Sequence, residues 1–483
     1  MNIDRVPILK SLVQYRDEGA VPFHMPGHKK GNIYKKAGID ILERSILSMD
    51  TTEVPGIDNL HCSEGAVKEA QEMAAKAFGA EHTFFLVNGT TSGIYSMILA
   101  AANPGDKIII PRNCHRSVYG AVILGRLKPV YINPETDEKL GIAAGINLQS
   151  LEYILEKHND AKAVVITNPT YYGICSDVKK IAELVHKKGM LLLVDEAHGS
   201  HFRFNKKLPV SALEAGADMA AQSIHKTLAS MTQSSMLQVR SDKVDLEKLK
   251  FFLQLTQTAS PSHILLASLD IARYIMEEEG EELLDKAIEW SNWARSEINI
   301  ATDLYCLDRD RIGSCGIYDI DPTRITVNFR DISASGKEAD HILRNRFKIQ
   351  VEMSDLYNII AITTIGDESK DYEKFVNALK RINAEAQHFE PAKADITFSR
   401  EIPELALLPW EAAYREKEAV SAESSIGRIC GEMIIPYPPG IPVLIPGEII
   451  TREIIDYIRL CVDNGIKING ASDINGRSVN VLK

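Results

Sequence analysis

Met190-Leu-Leu-Leu-Val-Asp195-Glu-Ala-His198 is an apolar run closed by an acidic residue, and Ser223-Ile-His-Lys226 follows it, so that Lys226 stands 31 residues after Asp195. Four more short apolar runs precede it: Thr83 to Val87, Lys107 to Pro111, Pro129 to Ile132 and Ala163 to Thr167, separated by amphipathic helical stretches. This alternation predicts an α/β fold, a mostly parallel sheet covered by helices on both faces. Ligands bind such sheets at the ends of the strands.

The polar motifs fall at those ends. Asn88-Gly-Thr-Thr-Ser-Gly93 follows the first run, Arg112-Asn-Cys-His-Arg-Ser117 the second, Asn168-Pro-Thr-Tyr-Tyr-Gly173 the fourth and Asp195-Glu-Ala-His198 the fifth, which suggests one shared cleft. Gly89 to Ser92 opens a helix whose free amides and hydroxyls form a candidate phosphate cradle, although such turns also serve as plain caps. No Gly-Lys-Ser/Thr follows, so neither this turn nor Asp195-Glu-Ala-His198 reads as part of an ATPase. Lys226 sits between the mostly apolar Ala217 to Ser223 and Thr227-Leu-Ala-Ser-Met, an internal setting in which a lysine must lose its charge or find a partner. A lysine there can hold an aldehyde cofactor as a Schiff base, and Asp195 can keep a pyridinium nitrogen protonated, a pairing that points to pyridoxal 5'-phosphate. His115 can lie flat on such a ring or serve as an ordinary cap. His198 and His201 stand three apart and His24 and His28 four apart, which raises a zinc hydrolase as the rival. Pro26-Gly27 breaks the second pair and no third ligand has fitting spacing, so no metal is expected.

With 483 residues the chain has room for about three structural units. The division expected is an arm over 1–60, a cofactor-binding large domain over 61–300, a small α+β domain over 301–390 and a C-terminal domain over 391–483. A helix begins near Ser63, which can cap it, and a long charged helix spans about 265 to 300 with Glu277-Glu-Glu-Gly-Glu-Glu as a solvated face. Strands are expected over Arg324 to Phe329 and Ile359 to Thr363, a helix over Ser369 to Ala384, and a proline-punctuated linker near 391–410. Seven scattered cysteines without a CxxC fit a reducing, cytoplasmic setting. No segment approaches eighteen uninterrupted apolar residues, so no membrane contact is expected. A net charge of −11 argues against nucleic acid and mildly favours cationic substrates.

With Asp195-Glu-Ala-His198, Ser223-Ile-His-Lys226 and Thr232-Gln-Ser-Ser in order, the chain resembles the Orn/Lys/Arg decarboxylase family of fold-type I pyridoxal phosphate enzymes. Phe23-His-Met-Pro-Gly-His-Lys, Asn113-Cys-His-Arg-Ser, Val351-Glu-Met-Ser-Asp-Leu-Tyr-Asn and Tyr437-Pro-Pro-Gly-Ile-Pro with Pro446-Gly-Glu448 extend the resemblance over nearly the whole length. It implies an aspartate aminotransferase-like large domain with a mostly parallel seven-stranded sheet, a small α+β domain and a C-terminal module. By the same resemblance Lys226 forms the Schiff base, Asp195 pairs with the pyridine nitrogen and His115 stacks on the ring. Ala197 packs beneath it, and Thr91, Ser92, Ser223 and His225 hold the phosphate. His198 departs from the tryptophan of longer enterobacterial relatives, leaving it a role in substrate contact or proton donation. The resemblance further implies a homodimer with sites at the subunit interface, a phosphate contact from the partner's segment 256–260, and no flavodoxin-like wing of the kind that builds decamers.

The implied reaction is decarboxylation of a basic amino acid: arginine to agmatine first, lysine next and ornithine third. An aminotransferase or lyase of the same fold would share Lys226 and Asp195, and a scaffold protein would not need them. A cationic substrate end calls for carboxylates, and Glu448, Asp355 and Glu352 lie in the motifs, each equally suited to a structural ion pair.

Overall fold

The apolar runs become strands because both of their faces are enclosed. Ile108, Ile109 and Ile110 are fully buried, as are Val164, Val165, Ile166, Leu192, Leu193 and Val194. The computed structural model describes residues 19, 21–23, 27, 29, 32–39, 58–332, 334–385, 402–437 and 440–483. Most of the expected arm over 1–60, His24 and His28, Pro438 and Pro439, and the start of the expected linker at 391–401 lie outside the described residues.

Seven strands form the main sheet: β1 (His82–Leu86), β2 (Lys107–Pro111), β3 (Lys128–Ile132), β4 (Ala163–Thr167), β5 (Leu191–Asp195), β6 (Met219–Gln222) and β7 (Ser235–Val239). Their order is β1-β7-β6-β5-β4-β2-β3. All neighbours run parallel except β7, which is antiparallel to β6 and β1. The sheet is therefore the mostly parallel seven-stranded one expected. Helices α1 (Ala66–Phe78), α2 (Gly89–Ala101), α3 (Arg116–Leu124), α4 (Leu148–Lys157), α5 (Val178–Lys187) and α6 (Leu246–Thr256) connect or cover the strands. Two separate apolar clusters, one around Met97, Ile110 and Leu237 and one around Ile109, Val164 and Val194, lie against the sheet.

Strands β6 and β7 escaped the sequence reading because they carry buried polar residues. Thr83 Oγ1 donates to Gln238, Gln238 Nε2 donates to Gln222 Oε1 at 3.1 Å, and Gln222 Nε2 donates to Glu196 Oε2 at 2.8 Å. Each amide satisfies the next, so these polar residues are enclosed without orphaned groups. The cap of α1 also differs from expectation. Ser63 does not cap it; the Asp58 carboxylate accepts from the amides of Glu64, Gly65, Val67 and Lys68. Slight burial opposes ionisation of Asp58, and these amides outweigh it, holding its pKa at about 2.

Helix α7 (His263–Ala301) leads into a second, antiparallel sheet of β8 (Tyr305–Cys306), β9 (Arg324–Asn328), β10 (Met353–Ser354) and β11 (Asn358–Ile362), in the order β8-β9-β11-β10. The end of α7 and α8 (Ser369–Ala384) cover that sheet through Ala294, Ile298, Phe375 and Leu379. The acidic stretch from Glu277 to Glu282 is exposed apart from Gly280. Toward the C-terminus, Lys417–Ser421 pairs with Ser478–Leu482 and Ile435–Tyr437 with Lys467–Asn469, around α9 (Arg452–Asp463). No helix among the described residues is long and apolar enough to cross a membrane.

Candidate active site

A cavity of about 380 Å³ opens at the C-terminal ends of the parallel strands. Gly89, Thr90 and Thr91 line it from the start of α2, where Gly89 takes φ +74°, a left-handed turn suited to glycine. The Asn88 side chain does not cap this helix, which leaves its first-turn amides open at the dipole's positive end. Thr90 Oγ1 bonds the hydroxyls of Ser223 and Ser235, tying the turn to the far side of the cavity. Ser92 does not line the cavity: its hydroxyl donates to the Gly89 carbonyl at 2.8 Å.

His115, Asp195, Ala197, His198, Ser223, His225 and Lys226 all line the same cavity. His115 joins both sequence readings, for its Nδ1 caps α3 by accepting from the Ser117 amide at 3.3 Å while its ring edges the cavity. Asp195 ends β5 and is 3% exposed; its Oδ1 accepts from the Ala197 amide at 3.2 Å. Burial raises its pKa, and Lys226 and that amide pull against the rise. His225 Nδ1 donates to the Ser234 carbonyl at 2.8 Å.

Lys226 Nζ lies 2.9 Å from His198 Nε2 and 5.9 Å from the centre of the Tyr171 ring. Burial brings its pKa down to about 8, against the opposing charges of Asp195 and Glu352. His198 and Tyr171 rings pack with centroids 4.5 Å apart, and Arg324 Nη2 approaches His198 Nδ1 at 3.3 Å. His201 turns away from His198: its Nε2 meets Asp321 and Thr323, so the two histidines do not converge on one point.

The three carboxylates expected near a cationic substrate do not line the cavity. Glu448 is fully buried, with Oε2 accepting from Arg112 at 3.0 Å and from the Ile445 amide at 2.9 Å. Asp355 accepts from Tyr172 Oη at 2.8 Å and from the amides of Tyr357 and Asn358, so its own turn consumes its oxygens. These two are corrections: tertiary partners turn them inward. Glu352 lies nearer the chemistry, accepting from the hydroxyl of Tyr171, which does line the cavity. Sequence reading passed over Arg324, noted only as the start of a strand, and Tyr171, noted only as part of a loop. It also left Tyr437 and Ile441, which complete the wall, as motif residues without a task.

Family models account for nearly all of the chain. The major domain of the Orn/Lys/Arg decarboxylases matches residues 6–371, and their C-terminal domain matches residues 393–479. The chain belongs to the Orn/Lys/Arg decarboxylase family. It is therefore a pyridoxal phosphate-dependent carboxy-lyase acting on a basic amino acid. The decarboxylase is 42% identical over 486 residues to the arginine decarboxylase of Halalkalibacterium halodurans, covering 99% of this chain and 98% of the relative. It is 40% identical over 482 residues to the arginine decarboxylase of Bacillus anthracis, covering 99% and 97%. Among solved structures, the lysine decarboxylase of Francisella novicida superposes with a TM-score of 0.78 at 22% identity, over 95% of this chain and 78% of that one.

The cavity of this decarboxylase fits the cofactor at both ends. Uncapped amides at the start of α2, with Thr91 and Ser223, suit a phosphate group. A buried carboxylate at the end of β5 suits a protonated ring nitrogen, which would restore the ionisation that burial disfavours.

Proposed function

We propose that this decarboxylase converts arginine to agmatine and carbon dioxide. Support for arginine comes from relatives named arginine decarboxylase that match it at about 40% identity over nearly its whole length. Support for the residue roles comes from one observation, the contact of Lys226 Nζ with His198 Nε2 beside Asp195 in a single cavity.

In this reading Lys226 would hold the cofactor through a Schiff base, a task helped by the burial that brings its pKa down to about 8. The start of α2, with Thr91, Ser223 and His225, holds the phosphate, and Ser92 serves by shaping that turn. Asp195 would keep the ring nitrogen protonated, and His115 and Ala197, which line the same cavity, would hold the ring. When bound, pyridoxal phosphate supplies the electron sink into which the Cα–carboxylate bond breaks. His198 Nε2 then gives a proton to Cα. Glu352, steadied by Tyr171, attracts the distal guanidinium of the substrate.

The enzyme acts as a cytoplasmic homodimer in this reading. Thr258, Ala259 and Ser260 are exposed beside Asn88, and Phe251 and Leu255 on α6 are more than half exposed, an apolar patch that a second subunit would cover. The division into 61–300, 301–390 and 391–483 is likewise our proposal. Carbon dioxide release over arginine, lysine and ornithine, with identification of the amine product, tests the substrate. Faster formation of cadaverine or putrescine than of agmatine would overturn it.

A further inference from the structure

We propose that Arg324 is a positioning residue that holds His198 in its Nε2–H tautomer, so that the imidazole presents a proton rather than a lone pair toward Lys226. The proposal deepens the reading of His198 as the proton donor and rests on it for its catalytic meaning.

A guanidinium carries five donors and no acceptor. Arg324 Nη2 lies 3.3 Å from His198 Nδ1 and 3.5 Å from the His198 carbonyl oxygen, so both atoms must accept from it. With Nδ1 accepting, the one ring proton of a neutral imidazole resides on Nε2. His198 is neutral for physical reasons: it is 5% exposed, and burial, with the Arg324 guanidinium adding to it, holds its pKa well below the ordinary value. Nε2–H then donates across 2.9 Å to Lys226 Nζ, which accepts as a free amine. Only this proton arrangement gives every contact in the row a donor and an acceptor. The opposite tautomer would set an N–H of histidine against an N–H of arginine.

Arg324 is built to hold that position. It begins β9 and is 1% exposed. Its amide donates to the Asp321 carbonyl at 3.1 Å and its carbonyl accepts from Arg295 at 3.0 Å. The stem crosses Gly173, where a Cβ would lie 2.6 Å from Arg324 Cβ. Nε and Nη1 are buried without a hydrogen-bond partner among the described residues, which leaves the Nη2 end as the one that speaks to the site. Asp321, the acid next in line, is engaged at Oδ1 by His201 and Thr323, and its Oδ2 makes no hydrogen bond to Arg324. On the other side, the Tyr171 ring keeps the imidazole from turning.

Ring-nitrogen spectra of the full-length holoenzyme labelled with nitrogen-15 histidine, and of the same protein after cofactor removal, read the tautomer directly; His198→Gln assigns the signal. In both forms Nδ1 should carry the shift of an unprotonated nitrogen and Nε2 that of a protonated one. In the cofactor-free protein Arg324→Met should move Nδ1 toward the protonated shift, because without the guanidinium the Lys226 amine can take up a proton and donate to Nε2, and Arg324→Lys should retain the original pattern. A protonated Nδ1 in the wild-type protein, or an unchanged pattern in cofactor-free Arg324→Met, overturns the proposal. Should Arg324→Met fail to fold, the wild-type spectrum and Arg324→Lys still decide. Unimpaired decarboxylation by His198→Gln would instead remove the proton-donor reading while leaving the tautomer assignment standing.

Discussion

The floor of the cavity and its outer wall are held by different means. The floor comes from strand ends and the turns that follow them: Gly89 to Thr91 after β1, His115 after β2, Asp195 to His198 at the end of β5, and Ser223 to Lys226 after β6. Each side chain is set within a few residues of the sheet that carries it. The wall at Tyr437 and Ile441 belongs to a segment held over long range, by Arg112, which donates to the carbonyls of Pro442 and Val443 and to Glu448 from 330 or more positions away, and by Ile445 in the apolar cluster of the main sheet. Asp195 and Glu448 express the contrast. Both are buried carboxylates near a cation, but one opens on the cavity and the other closes an interface.

Substitutions can break or sharpen this contrast, and Lys226→Ala should do most. The absorption band of the bound cofactor should vanish and carbon dioxide release should fall to the detection limit; a variant that retains either would end the assignment of the floor. Asp195→Ala should lower turnover about 10²–10³-fold, the scale of removing a preorganised electrostatic contact, with little change in melting temperature. Glu448→Ala should show the reverse. Stranding buried Arg112 should cost about 3–5 kcal/mol of folding stability, measured by urea denaturation. The variant should keep most of its turnover per folded molecule. Equal losses of turnover in the two variants would erase the distinction between floor and wall.

A pH series sharpens it further. Burial pushes the Glu448 carboxyl up to about 7, against the pull of Arg112. Between its ordinary 4.5 and about 7 the folded state therefore binds more proton than the unfolded state, and stability should fall as pH rises through that window. Glu448→Gln should flatten that part of the curve; an identical slope would place the titration elsewhere. The smallest effect is expected of Tyr171→Phe, which removes one hydrogen bond to Glu352 while keeping the ring against His198. It should raise KM for arginine by an amount equivalent to about 0.5–1.5 kcal/mol and lower kcat less.

Much of the architecture was legible because local patterns report local burial. Lys107–Pro111, Ala163–Thr167 and Ser369–Ala384 appear as elements with the bounds expected of them. Where a buried position is polar the pattern is silent, and β6 and β7, carrying Gln222 and Gln238, were missed for that reason. The cap of α1 was misassigned to Ser63 because Asp58 reaches it through a turn that no spacing rule anticipates. Asp195, His198 and His115 could be grouped in advance because strand ends on one edge of a parallel sheet must be neighbours, and Lys226 joined them through the apolar segment before it and the motif it shares with the family. Arg324 could not, since its partner His198 is 126 positions away.

The sequence by itself determined the alternation of strands and helices, and with it the edge at which chemistry-bearing loops gather, because side-chain period and backbone geometry are local properties. Only the tertiary structure decided which charges open on the cavity. Glu448 and Asp355 are as acidic in the sequence as Asp195, and nothing in their neighbours marks them as enclosed. Arg112, Tyr172 and nearby amides take up their oxygens after the chain has folded, because a buried carboxylate settles wherever donors surround it.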